Sequence, residues 1–69
     1  MSIVAVDWYA ELRRRNLTIE DLATLCGVSG AYIRMWQAGY RRPSPEHCRI
    51  IERELGIPRS TLRPDLYAD

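Results

Sequence analysis

The sequence predicts an all-α domain of four to five short helices, and three observations carry that expectation. Apolar residues recur at the three- and four-residue spacing of a single helical face. Each run opens on a residue whose side chain can accept from orphan amides (Asp7, Thr18, Ser29, Ser44) and closes on one that tolerates a left-handed backbone (Asn16, Gly27, Gly39, Gly56). The 69 residues suffice for one small domain, with a core over 7–56 and an apolar tail over 57–69.

Asp7 caps the first helix, and Trp8, Tyr9 and Leu12 fall on its inner face. Arg13, Arg14 and Arg15 suit the negative end of its dipole, and Asn16 closes it. Thr18 caps the second helix and makes a box-like pair with Asp21. Leu22 and Leu25 form its expected buried stripe, with small Ala23 where another helix crowds it, and Gly27 ends it. Ser29 caps the third helix, whose inner face is Ile33 and Trp36, and Ala38-Gly39 stops it. Tyr40 to Pro43 read as an exposed loop. Ser44 and Pro45 start the fourth helix, Cys48, Ile51 and Leu55 line it, and Gly56 ends it. Ile57-Pro58 opens a last turn to Leu62, and Arg63 to Tyr67 form an irregular tail with apolar anchors. Residues 1–6 are apolar and uncapped: a fraying end, a strand over 2–6, or a segment packed on a partner.

Composition narrows the function. The formal net charge is +1, which argues against a protein that coats DNA indiscriminately. All ten basic residues are Arg, a choice that suits two-point contacts to phosphate and guanine but also follows from GC-rich coding. A domain this size buries roughly 60% of its unfolded surface, which leaves no room for an extended catalytic cleft or a tethered regulatory domain. Dimerisation would add buried area. Residues 1–6 are too short for a signal-peptide core, and no apolar run reaches membrane-spanning length, so a reducing, cytoplasmic setting is expected. Cys26 and Cys48 then read as small core hydrophobes. With His47 they match no metal-finger spacing, and Ser44, His47 and Cys48 on one helix do not face one another as a nucleophile set would. No enzyme activity, metal or cofactor is expected.

The most informative stretch is Leu22 to Pro43: two helical patterns, a tight turn at Gly27, three arginines (Arg34, Arg41, Arg42) and no acidic residue. Asp21 and Glu46 are the nearest acids in the chain on either side. A helix pair whose second member and following loop carry only positive charge is the footprint of a major-groove DNA reader.

Thr18, Leu22-Ala23, Gly27-Val28-Ser29, Ile33, Trp36, Gly39, Arg41-Arg42 and Pro43 closely resemble the helix-turn-helix of the Cro/cI-type repressor family. The similarity covers residues 7–56, and it implies a lambda-repressor-like bundle. The ending PEHCRIIERELG with LRPDLY looks like small prophage Cro-like regulators and the related YdaS-like antitoxin group. The resemblance, with the helical spacing, implies base contacts from Ser29, Gly30, Ala31, Arg34 and Met35. Arg34 would pair with guanine; as a lesser role it would touch phosphate or solvent. Ser29 serves as a cap in either case. Gly30 and Ala31 are shorter than the polar residues often found there, and would allow close approach or meet a thymine methyl. Met35 would touch a methyl or fill a gap. Phosphate contacts are implied for Tyr32, Tyr40, Arg41 and Arg42 and for the amides of Thr18 and Ile19, Ile19 standing where family members often carry Gln. Tyr32 also suits a cover over the core, and Arg13 to Arg15 read as a solvated terminus before they read as a clamp.

The resemblance implies a sequence-specific repressor, a homodimer on a pseudo-palindromic double-stranded operator, acting by occupancy. The alternative is an antitoxin that binds a partner protein through Leu62, Leu66 and Tyr67 and autoregulates its operon. A helical interaction module without DNA binding is disfavoured by the absence of acids from the third helix and loop. All of this requires the surface from Ser29 to Arg42 to be cationic. Arginines turned inward, or neutralised by carboxylates, would undo it.

Overall fold

Side-chain caps set where the helices begin. In the computed structural model, which describes residues 6–67, Asp7, Thr18, Ser29 and Ser44 each accept from the amide three residues on. The helices are α1 (Trp8–Arg14), α2 (Ile19–Cys26), α3 (Gly30–Ala38), α4 (Pro45–Leu55) and α5 (Arg59–Leu62). At Thr18 the box is reciprocal: Oγ1 accepts from Asp21 N at 3.2 Å, and Asp21 Oδ2 accepts from Thr18 N at 2.8 Å. Asn16 takes φ 58° after α1, the left-handed conformation expected of it. The fold is all-α, and the described residues contain no strand. The strand considered over residues 2–6 falls almost wholly outside the described residues.

α2 packs on α3 and on α4, α1 packs on α3, and α5 packs on α4. The core joins Trp8 and Leu12 of α1, Ile19, Leu22, Ala23 and Cys26 of α2, Ile33 and Trp36 of α3, and Cys48, Ile51 and Leu55 of α4, with Val6, Ile57 and Leu62. Leu12, Leu22, Ile33 and Ile51 are among its fully enclosed side chains, each contributing about 1.5–3 kcal/mol through burial. Trp36 sits at the centre of an aromatic group, its ring 5.3 Å from Trp8, 5.6 Å from Tyr32 and 5.6 Å from His47. Burial pushes the Cys26 thiol up to about 11 and raises that of Cys48, as befits cysteines that pack as hydrophobes.

Two stripe assignments are corrected. Leu25 is 39% exposed, because α2 turns Ile19, Leu22, Ala23 and Cys26 inward and leaves position 25 on the far side. Tyr9 is exposed for the same reason on α1, where Trp8 and Leu12 take the inner face.

Long-range polar bonds fasten the helices together. Gln37 Oε1, near the end of α3, accepts from Trp8 N at 2.7 Å and so satisfies an orphan amide of α1. Arg15 Nε donates to Leu55 O at 3.0 Å, joining the ends of α1 and α4. The Glu52 carboxylate accepts from Arg59 N at 2.9 Å and from its guanidinium at 2.9 and 3.1 Å, which starts α5 where Pro58 offers no side-chain cap. The tail folds back: Arg63 Nη1 donates to Pro43 O at 2.9 Å, and Tyr67 packs against the core.

Candidate nucleic-acid interface

The turn between α2 and α3 takes three residues, Gly27, Val28 and Ser29. Gly27 supplies the left-handed step (φ 72°), which lets Val28 N reach back to Ala23 O at 3.0 Å. Ser29 then caps α3, with Oγ accepting from Tyr32 N at 3.2 Å. Ala23 is buried in α2, which packs on both α3 and α4. The reversal is therefore hydrogen-bonded at both ends, which sets the direction in which α3 leaves it.

α3 divides cleanly. Ile33 and Trp36 are buried, whereas Ala31, Arg34 and Met35, at i, i+3 and i+4, are exposed. Ser29 is exposed at the start of this face, and Gly30 is half-buried. Beyond α3, Gly39 (φ 85°) turns the chain so that Tyr40 N and Arg41 N both donate to Met35 O, at 3.0 and 3.3 Å. Tyr40 stands free in solvent with Arg41 and Arg42 beside it in sequence, and Arg63 pins the end of the loop at Pro43.

The charge of this surface is less one-sided than the acid-free run implies. Arg34 points outward, its side chain 54% exposed, but its Nη2 lies 3.1 Å from Glu20 Oε2 of α2. Arg42 Nη1 lies 3.3 Å from Asp65 Oδ1, and the Arg63 guanidinium beside Asp65 holds that carboxyl at about 2, so it is charged at neutral pH. Among the described residues Arg41 has no ion pair. The expectation of a purely cationic ridge is thus corrected. Acids absent from the linear window arrive from outside it. Both pairs are exposed and hence weak, so a phosphate or a base edge can displace or share them.

A helix-turn-helix family model of the Cro/cI type matches residues 9–62. The chain belongs to the helix-turn-helix family. Its members are DNA-binding transcription regulators, and this chain is one. No curated protein and no solved structure matches it. Among the described residues no helix is long and apolar enough to cross a membrane.

Within the helix-turn-helix, the residues singled out from sequence fall into two groups. Ser29, Gly30, Ala31, Arg34 and Met35 lie along the first turns of α3, all but half-buried Gly30 exposed, and Tyr40, Arg41 and Arg42 form the loop beyond it. Tyr32 is half-buried against the core, edge-on to Trp36, so much of its ring is structural. The Ile19 side chain is buried, and its amide, at the first position of α2, has no intrahelical acceptor. The Thr18 amide is committed to Asp21, which corrects its assignment as an open phosphate donor. Sequence reasoning missed Glu20, Asp65 and Arg63. The linear window stopped short of Glu20, and the tail's return to the loop leaves no local periodic signal.

Proposed function

We propose that this helix-turn-helix protein is a Cro-like, sequence-specific repressor that binds a pseudo-palindromic operator as a homodimer, with α3 in the major groove. The observation that carries the reading is the division of α3: Ile33 and Trp36 hold the helix, while Ala31, Arg34 and Met35 stand free on a continuous outer face. A groove-reading helix needs this division, since its contacts must be fixed from behind. Arg34 takes a guanine edge, and Ser29, Gly30, Ala31 and Met35 set close approach and methyl contact. Tyr40, Arg41, Arg42, the Ile19 amide and the Tyr32 hydroxyl hold phosphates and set the register. Two such faces about 34 Å apart read half-sites one helical turn apart. The setting is the cytoplasm, where operator DNA is accessible.

In the antitoxin alternative the docking surface is small. Leu62 and Tyr67 are engaged by the chain's own core, which leaves Leu66 as the exposed large apolar residue of the tail among the described residues. The fold-back therefore supports the DNA reading over partner capture.

Selection of bound duplexes from a random library at a stated salt concentration tests the proposal. A palindromic motif is the expected result, and Arg34→Ala should relax one position of each half-site at a cost of about 1–3 kcal/mol. Enrichment of no motif would refute operator binding.

A further inference from the structure

Three residues meet over the first turn of α3. Glu20 Oε2 accepts from Arg34 Nη2 at 3.1 Å, and a Cβ placed on Gly30 would lie 2.9 Å from that same oxygen and 3.3 Å from Arg34 Nη1. Gly30 therefore leaves the slot through which a carboxylate of α2 reaches the guanidinium of α3. Glu20 sits in the first turn of α2, where the positive helix end steadies its charge. It is also a fixed negative charge at the edge of the surface offered to DNA, where it repels phosphates. That placement asks for a compensating role.

We propose that Glu20 is a positioning residue for sequence reading, and that it acts through Arg34. The inference rests on the proposed operator-binding role of α3. A guanidinium carries five N–H donors, and Glu20 engages Nη2 alone, so Arg34 keeps enough donors for a guanine edge while the pair persists. A buttressed Arg34 is already oriented when the groove arrives. The exposed pair is about as strong as an exposed phosphate contact, so exchanging one for the other gains Arg34 little, and the neutral pair offers phosphates no net charge. A two-point guanine contact is worth about 5- to 150-fold in affinity. A free arginine on a phosphate, as an exposed ion pair, is worth about 2- to 5-fold on any sequence. Holding Arg34 in place keeps the first gain and suppresses the second, so discrimination rises.

The test measures dissociation constants for the duplex recovered by selection and for a scrambled duplex of equal composition. Glu20→Gln should tighten the scrambled complex about 2- to 5-fold without a matching gain on the selected one, lowering the ratio. Its salt dependence on scrambled DNA should steepen by about one phosphate. With Arg34→Ala as background, Glu20→Gln should leave the ratio unmoved. Equal tightening on both duplexes would show Glu20 acting as bulk charge and overturn the proposal, as would a ratio shift that survives Arg34→Ala. A selected motif with an unmoved ratio refutes this inference alone, whereas a wild-type protein that selects no motif refutes it together with the operator reading.

Discussion

Replacing Arg63 by Met should separate the tail from the loop that follows the reading helix. The Arg63 side chain is only 17% exposed and makes three bonds: Nη1 to Pro43 O at 2.9 Å, Nε to Asp65 Oδ1 at 3.0 Å and Nη2 to Asp65 Oδ2 at 2.8 Å. Met keeps the apolar stem and removes the donors. Pro43 is buried, and the other partner of its carbonyl is the Cys48 thiol at 3.8 Å, a weak donor. Loss of a charge-assisted bond to such a carbonyl costs about 1.5–3 kcal/mol. In a domain this small that corresponds to a fall in Tm of roughly 6–24 °C. Arg63→Lys, with a point charge in place of a fork, should fall between parent and Met variant. Far-UV circular dichroism melts decide it. The difference should also narrow in acid. Arg63 depresses the Asp65 pKa from 3.8 to about 2, so the contribution of the pair is fully present above pH 4 and lost as pH falls through 2. If Arg63→Met melts within a degree of the parent at neutral pH, the tail is not a fastening and the assignment is wrong.

Other substitutions probe the remaining parts. Thr18→Ala removes the acceptor for Asp21 N and should cost about 0.5–2 kcal/mol, read from urea midpoints; no change would mean the α2 cap contributes nothing. Ile33→Ala leaves a cavity behind the reading helix and should cost about 2–5 kcal/mol, enough to unfold much of the protein at 37 °C; a native spectrum there would show that the core does not depend on this side chain. The thiols should resist Ellman's reagent at pH 8 and react promptly in denaturant, because burial pushes Cys26 up to about 11 and raises Cys48; fast native labelling would contradict their enclosure.

The scaffold was legible because its signals are local. Asp7, Thr18, Ser29 and Ser44 sit beside the amides they satisfy, and Gly27, Gly39 and Gly56 need left-handed backbone whatever surrounds them. Each element could be bounded from a few neighbouring residues. The inner faces of α3 and α4 followed from spacing alone. Leu25 shows the limit of that method. In an eight-residue helix both Leu25 and Cys26 extend a stripe that begins at Leu22, and the choice depends on the angle at which α3 crosses. Both were read as core residues; Cys26 is buried as expected, and only Leu25 falls on the outer side.

The reading face was harder, for a related physical reason. Charge along a chain and charge across a surface are different quantities, and folding converts one into the other. Glu20 lies 14 residues from Arg34 and faces it because a three-residue turn folds α2 against α3 and because Gly30 has no side chain to intervene. Asp65 reaches Arg42 because Arg63 bonds to Pro43 and brings the tail with it. Neither acid could be counted against its arginine until the helix crossing and the tail's path were known. The family match secures DNA binding on grounds independent of that charge. The two pairs then bear on how the protein discriminates: Arg34 and Arg42 arrive at DNA already partnered, whereas Arg41 arrives without an ion pair among the described residues. Non-specific attraction should therefore rest on Arg41 more than on its neighbours, so that Arg41→Ala lowers the salt slope on random DNA by about one while Arg34→Ala changes it less.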